Sequence, residues 1–176
     1  MPIPELQSNG SRANLTVHND QGSIMSARAV IKGHTIHRTI RIEAPLDRVW
    51  EAVSTPILIA EWFSETTTLP NGDVGSEGLF AWEGYGPFAV EIVENEPKSV
   101  FAWRWAGAPS PVLRDDDSTT ARFTLEADGE ATTLTVVETG FENIAGGTAH
   151  RRQRLEDNRG GWDIELDELA ALLETA

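Results

Sequence analysis

The sequence predicts an α+β domain in which an antiparallel sheet with one apolar face is covered by a long C-terminal helix. Two observations carry that prediction. Between Gly78 and Phe141, five segments alternate apolar and polar side chains at a period of two and are separated by turn residues. After them, from Ala149 to Glu174, comes a stretch of helical length whose large apolar residues recur at three- and four-residue steps.

Each element follows from its local chemistry. The first 33 residues are rich in Ser, Asn and Gly and weakly periodic, so they read as an arm, partly ordered or adding a short strand through "NLTV" or "SARAVI". The domain proper spans residues 34–176. In "HTIHRTIRIEA", Ile36, Ile40 and Ile42 fall at even spacing, as a half-buried strand requires. "APLDRVWEAVSTP" follows, with Pro45 suited to a helix start and Leu46, Val49, Trp50 and Val53 on one helical face. Thr55-Pro56 ends that helix, and "PILIAEWF" begins a second short one.

The strands are "GLFAWEGYG", "PFAVEIVENEP", "SVFAWRWAG", "TTARFTLEADGE" and "ATTLTVVETGF". Turn chemistry separates them, most clearly at Asp128-Gly129. Such alternation gives a sheet with one apolar and one wet face, typical of an antiparallel meander. Only the C-terminal segment is long enough to cover the apolar face. Leu155, Trp162, Leu166, Leu169 and Leu173 form its stripe, and Asp157, Asp163, Asp167 and Glu168 lie off it. Gly160 and Gly161 interrupt this helix at a cost of about 1 kcal/mol each relative to alanine. Either they let the backbone approach and bend over the sheet, or Gly160 caps a first helix and a second begins nearby.

Composition bounds the function. The 176 residues carry a formal net charge of −14 and no cysteine. The acidity argues against nucleic-acid binding, which draws most of its affinity from Lys and Arg. The missing thiols exclude disulfides and cysteine catalysis, and suit a cytoplasmic setting. No signal-peptide pattern and no membrane-spanning apolar run is present, so membrane insertion is not expected. A monomer and a homodimer are equally compatible with these features.

The order of elements, with "IEAPLDRVWEAVSTPILIAEWF" at the front and "NRGGWDIELDELAALL" at the back, resembles the SRPBCC (START-like) superfamily. Within it the chain is most similar to the heat-shock protein 90 ATPase activator homologue family in its bacterial single-domain form. Ala44-Pro45, Val49-Trp50, Glu61-Trp62-Phe63, Thr139-Gly140-Phe141 and Gly161-Trp162 carry the resemblance, which extends over residues 34–175. It implies a helix-grip (Bet v-like) fold, often with a cavity between sheet and helix. The eukaryotic namesakes stimulate a chaperone ATPase; wider relatives bind lipids, hormones or polyketides, and some catalyse cyclisation or hydration.

The search for chemistry yields few residues. His18, His34, His37 and His150 are scattered, and no HExxH, P-loop, GxSxG or EF-hand pattern occurs, so neither a metal nor another cofactor is expected. "RDDDS" (Arg114–Ser118) lacks the alternating ligand spacing of a calcium loop and reads as solvated. Glu138 shares strand parity with Leu134 and Val136, which makes it the candidate acid or base if it faces inward. Candidate ligand-lining residues come from three places: Trp62 after the second helix; Phe80, Trp82, Phe88, Val90, Phe101, Trp103, Trp105 and Phe123 on the sheet; and Trp162 and Leu166 on the helix. The expected function is non-enzymatic binding of a small hydrophobic molecule between sheet and helix. The alternatives are a chaperone-related or stress-response protein-interaction module, and a cyclase- or hydratase-type enzyme using Glu138.

Overall fold

The computed structural model of the chain describes residues 27–175. The possible strand at "NLTV" and His18 lie outside the described residues. Elements follow in the order β1 (Val30–Lys32), β2 (Thr35–Ile42), α1 (Leu46–Ser54), α2 (Pro56–Ile59), β3 (Thr66–Thr67), β4 (Glu77–Trp82), β5 (Gly86–Glu96), β6 (Val100–Ala106), β7 (Ser118–Asp128), β8 (Ala131–Thr139) and α3 (Thr148–Glu174). The predicted helix-grip fold is borne out: one curved antiparallel sheet, ordered β1-β2-β8-β7-β6-β5-β4-β3, holds α3 against its apolar face.

The topology explains how the grip closes. β2 lies beside the last strand, whereas β3 lies at the far edge, so α1 and α2 must carry the chain from one side of the sheet to the other. A register shift between Ile92 and Glu94 adds a residue to β5 opposite β6, and such bulges sharpen local twist and bend. Ala44 begins the crossover under firm control, because Thr132 on β8 donates its hydroxyl to the Ala44 carbonyl at 2.9 Å.

The predicted parity holds across the sheet. Phe80, Trp82, Phe88, Phe101, Trp103, Trp105 and Phe123 are all buried. On the opposite face, ion pairs link neighbouring strands: Arg104 reaches Glu91 at 3.2 Å and Arg122 reaches Glu94 at 3.0 Å. Each is solvent-accessible and adds little on its own.

Two sequence-based expectations need correction. α3 is a single uninterrupted helix through Gly160 and Gly161, about 40 Å long at 1.5 Å per residue, so Gly160 does not cap a first helix. Nor does close approach explain Gly160, because a Cβ built there meets nothing within 4 Å; only Gly161 is buried. Asp163 is the second correction. Placed off the buried stripe by its spacing, it is 5% exposed and accepts the Ala29 N–H at 2.7 Å.

The reason lies on β2. Arg38 shares the inward parity of Ile36 and Ile40, is 2% exposed, and donates to the carbonyls of Trp162 and Asp163 at 2.7 Å each. Its guanidinium also contacts the carboxylates of Asp163 and Asp167. A buried cation is tolerated where fixed acceptors replace its water, and here the acceptors are the backbone and acids of α3 together with the Ala27 carbonyl at 3.2 Å. Arg38 therefore fastens the helix to the sheet at Trp162. Among the described residues, no helix is long and apolar enough to cross a membrane.

Candidate functional site

The inward side chains of the sheet form rows across the strands. One row runs Ile36 (β2), Glu138 (β8), Ala121 (β7), Trp103 (β6) and Ile92 (β5), each opposite the next. The adjacent row places Thr119 opposite Trp105. Glu138 therefore enters the interior beside the small side chain of Ala121, which leaves room above it for a residue of α3. Two residues later Gly140 adopts φ 100°, and a Cβ there would lie 3.2 Å from the Ser118 carbonyl, so glycine lets the chain leave β8.

Glu138 is fully buried, and four donors converge on it. Its Oε1 accepts from Thr119 Oγ1 at 2.6 Å, Trp105 Nε1 at 3.0 Å and Asn158 Nδ2 at 3.1 Å. Its Oε2 accepts from Trp162 Nε1 at 2.6 Å. Asn158 and Trp162 are four residues apart on α3 and so share one face of the helix. Burial pushes the Glu138 carboxyl above the ordinary glutamate range, and the hydrogen bonds from Thr119, Trp162, Trp105 and Asn158 oppose that push. The group is thus a desolvated carboxyl held by fixed donors, with no basic side chain hydrogen-bonded to it among the described residues.

Aromatic rings enclose this polar centre. Phe63 stacks on Trp162 with centroids 5.5 Å apart and an interplanar angle of 21°. Trp103 lies 4.8 Å from Phe123 and 5.2 Å from Phe80. Full burial of each such ring is worth about 1.5–3 kcal/mol or more, which makes this region the main apolar investment of the fold.

The indole N–H groups sort the predicted lining residues. Trp62 donates to the Ala52 carbonyl at 2.9 Å and Trp82 to the Phe63 carbonyl at 3.0 Å, so both tie loops to the core. Trp105 and Trp162 instead serve Glu138. Trp103 Nε1 is buried without a hydrogen-bond partner among the described residues. Such an orphan donor in a native interior calls for an explanation. Phe88, Val90, Phe101 and Leu166 are buried in the same core.

Sequence reasoning gave Glu138 the parity of Leu134 and Val136 and named Trp105 and Trp162 among the lining residues, but missed the other two partners, Thr119 and Asn158. Thr119 has the parity of Ala121, Phe123 and Leu125, and Asn158 precedes Trp162 by four residues; a polar residue at a core-facing position was the available signal in both. The acidic run forms a short 3-10 turn, Asp115–Asp117, in which Asp115 pairs with Arg104 and Asp116 with Arg114. No group of three or more metal-ligating side chains comes together among the described residues.

Comparison with known proteins places this geometry in context. A family model described as Activator of Hsp90 ATPase homolog 1-like protein matches residues 43–174. Among solved structures, protein MLL2253 from Mesorhizobium loti is similar with a TM-score of 0.65 and 22% identity over 81% of this chain and 98% of its own. The Aha1 dimer from Colwellia psychrerythraea gives a TM-score of 0.60 and 20% identity, covering 80% of this chain and 96% of that one. DynU16, from the dynemicin biosynthetic locus, shares 26% identity with a TM-score of 0.60, over 82% of this chain and 48% of DynU16. No curated protein matches the sequence.

Proposed function

We infer, from the premise that this chain belongs to the Activator of Hsp90 ATPase homolog 1-like family, that its domain binds a small hydrophobic molecule between sheet and helix, with Glu138 as the polar anchor. The observation that carries this reading is the convergence of four donors on one buried carboxyl inside an aromatic shell. Binding sites for small molecules combine apolar walls with a few placed polar groups, and those are the two components assembled here. The orphan Trp103 N–H adds a donor in the same interior. The relation to DynU16 supports the reading only by likeness.

The matching ligand has a flat apolar body and a hydroxyl or similar group able to donate to Glu138. Isothermal titration with 2-naphthol tests this. Saturable one-to-one binding is expected, weakened at least tenfold in Glu138→Gln, whose amide turns an N–H toward Trp162 where a carboxylate oxygen had accepted. Absence of saturable binding to the unmodified protein, or equal affinity in both proteins, contradicts the reading.

A second reading, general acid–base catalysis by Glu138, is favoured by one observation: burial pushes that carboxyl above the ordinary glutamate range, the direction expected of a carboxyl that works as an acid or base. It predicts conversion of a bound molecule that stops in Glu138→Gln while the molecule stays bound.

A further inference from the structure

One turn from Asn158, on the same face of α3, lies Arg154. It is 3% exposed, yet among the described residues its Nε is buried without any hydrogen-bond partner. This distinguishes it from Arg38, whose guanidinium is met by three carbonyls and two carboxylates. Burial pushes the Arg154 guanidinium down to about 10, with Asp157 opposing. Leaving a guanidinium N–H buried without an acceptor is costly, and a group that carries positive charge takes an anionic acceptor best.

Its surroundings lie at the end of the Glu138 site. Gly107 follows Trp105 by two residues and Asp117 precedes Thr119 by two, so both continue the inward lines of β6 and β7 beyond the two residues that hold Glu138. The Gly107 N–H bonds the Asp117 carbonyl at 2.8 Å and keeps those lines together. A Cβ on Gly107 would fall 3.1 Å from Arg154 Nη2 and 2.7 Å from Asp117 Oδ1, so glycine lets the guanidinium and the Asp117 carboxyl both pack against the chain here. Arg154 is displaced from Asn158 by about 6 Å along the helix axis, four residues at 1.5 Å each. Polar contacts are therefore available at two separated points along one interior: Glu138 and Arg154.

We propose that Arg154 receives the acidic group, a carboxylate or a comparable oxyanion, of the same apolar ligand whose other end meets Glu138. The proposal rests on the ligand-binding reading and narrows it to amphipathic acids. Guanidinium groups favour such oxyanions because their N–H fork matches two acceptor oxygens. Asp117 is the carboxyl nearest the guanidinium across Gly107; burial pushes it up, as does neighbouring Asp116, while His150 and Arg114 oppose.

The test compares 6-hydroxy-2-naphthoate with 2-naphthol, which has the same rings and hydroxyl without the acid. Titration of the unmodified protein is expected to show at least tenfold tighter binding of the acid. In Arg154→Met that preference should vanish while the affinity for 2-naphthol is unchanged. Should the variant fold poorly, the Arg154 Nε–H resonance of the unmodified protein supplies an independent readout: it should shift on adding the acid and stay in place with 2-naphthol. Equal affinity for both compounds, or an acid preference that survives in Arg154→Met, overturns the proposal and leaves ligand binding standing. Failure of both compounds to bind overturns the ligand-binding reading and this proposal with it.

Discussion

At the residue scale, Glu138 shows how one side chain sets a pH dependence. Its folded-state pKa lies above the ordinary value of 4.5 because burial opposes the charge. The folded protein therefore holds a proton that the unfolded chain has released, between about pH 4.5 and the raised value. Across that window the contribution of Glu138 to stability falls as pH rises, since stability declines wherever the native state binds more protons than the unfolded one. Urea denaturation of the unmodified protein and of Glu138→Gln, repeated from pH 4.5 upward, should show the stability difference between them moving against the unmodified protein as pH increases. A difference that is flat with pH would mean that burial does not perturb this carboxyl. The sequence made the inward direction of Glu138 readable, because strand parity is a period-two property. It did not reveal Thr119 or Asn158, because which polar groups meet depends on the row alignment of three strands and on the rotation of a helix.

At the element scale, α3 separates what periodicity can and cannot reveal. Leu155, Trp162, Leu166, Leu169 and Leu173 lie buried as their spacing predicts. Arg154, Asn158, Asp163 and Glu165 are buried too, so the inward face of the helix is mixed rather than apolar. Arg38 was legible in principle, since it occupies the inward parity of β2, but an arginine between isoleucines reads as an outward residue until its helix partners are in view. The glycine pair is divided by the structure: Gly161 is buried, and Gly160 faces open space in a continuous helix without a positive φ. Gly160→Ala should therefore raise stability by up to about 1 kcal/mol, the helix-propensity difference. Chemical denaturation checks this, and a loss of stability would show that Gly160 has a role that open space around its Cα does not explain.

At the scale of the whole molecule, the grip follows from a few elementary requirements. A sheet with one apolar face needs a cover, α3 provides it, and Arg38 fixes where that cover sits. Fold class and strand order of appearance were readable from alternation and turn residues. The pairing of β2 with β8, and the placing of β3 at the far edge, were not, because they depend on where the two short helices deliver the chain. The same assembly brings Glu138, Trp105, Thr119, Asn158 and Trp162 together from four separate elements. A protein of this design keeps its polarity at the centre of its aromatic interior, and the proposed function seats a small molecule there. Native mass spectrometry of the protein purified from its own cells, set against the same preparation after denaturation, tests that claim most directly. A small molecule carried by the folded protein and lost on denaturation is the predicted result. The polypeptide mass alone, unchanged after incubation with 2-naphthol and with 6-hydroxy-2-naphthoate, would contradict it.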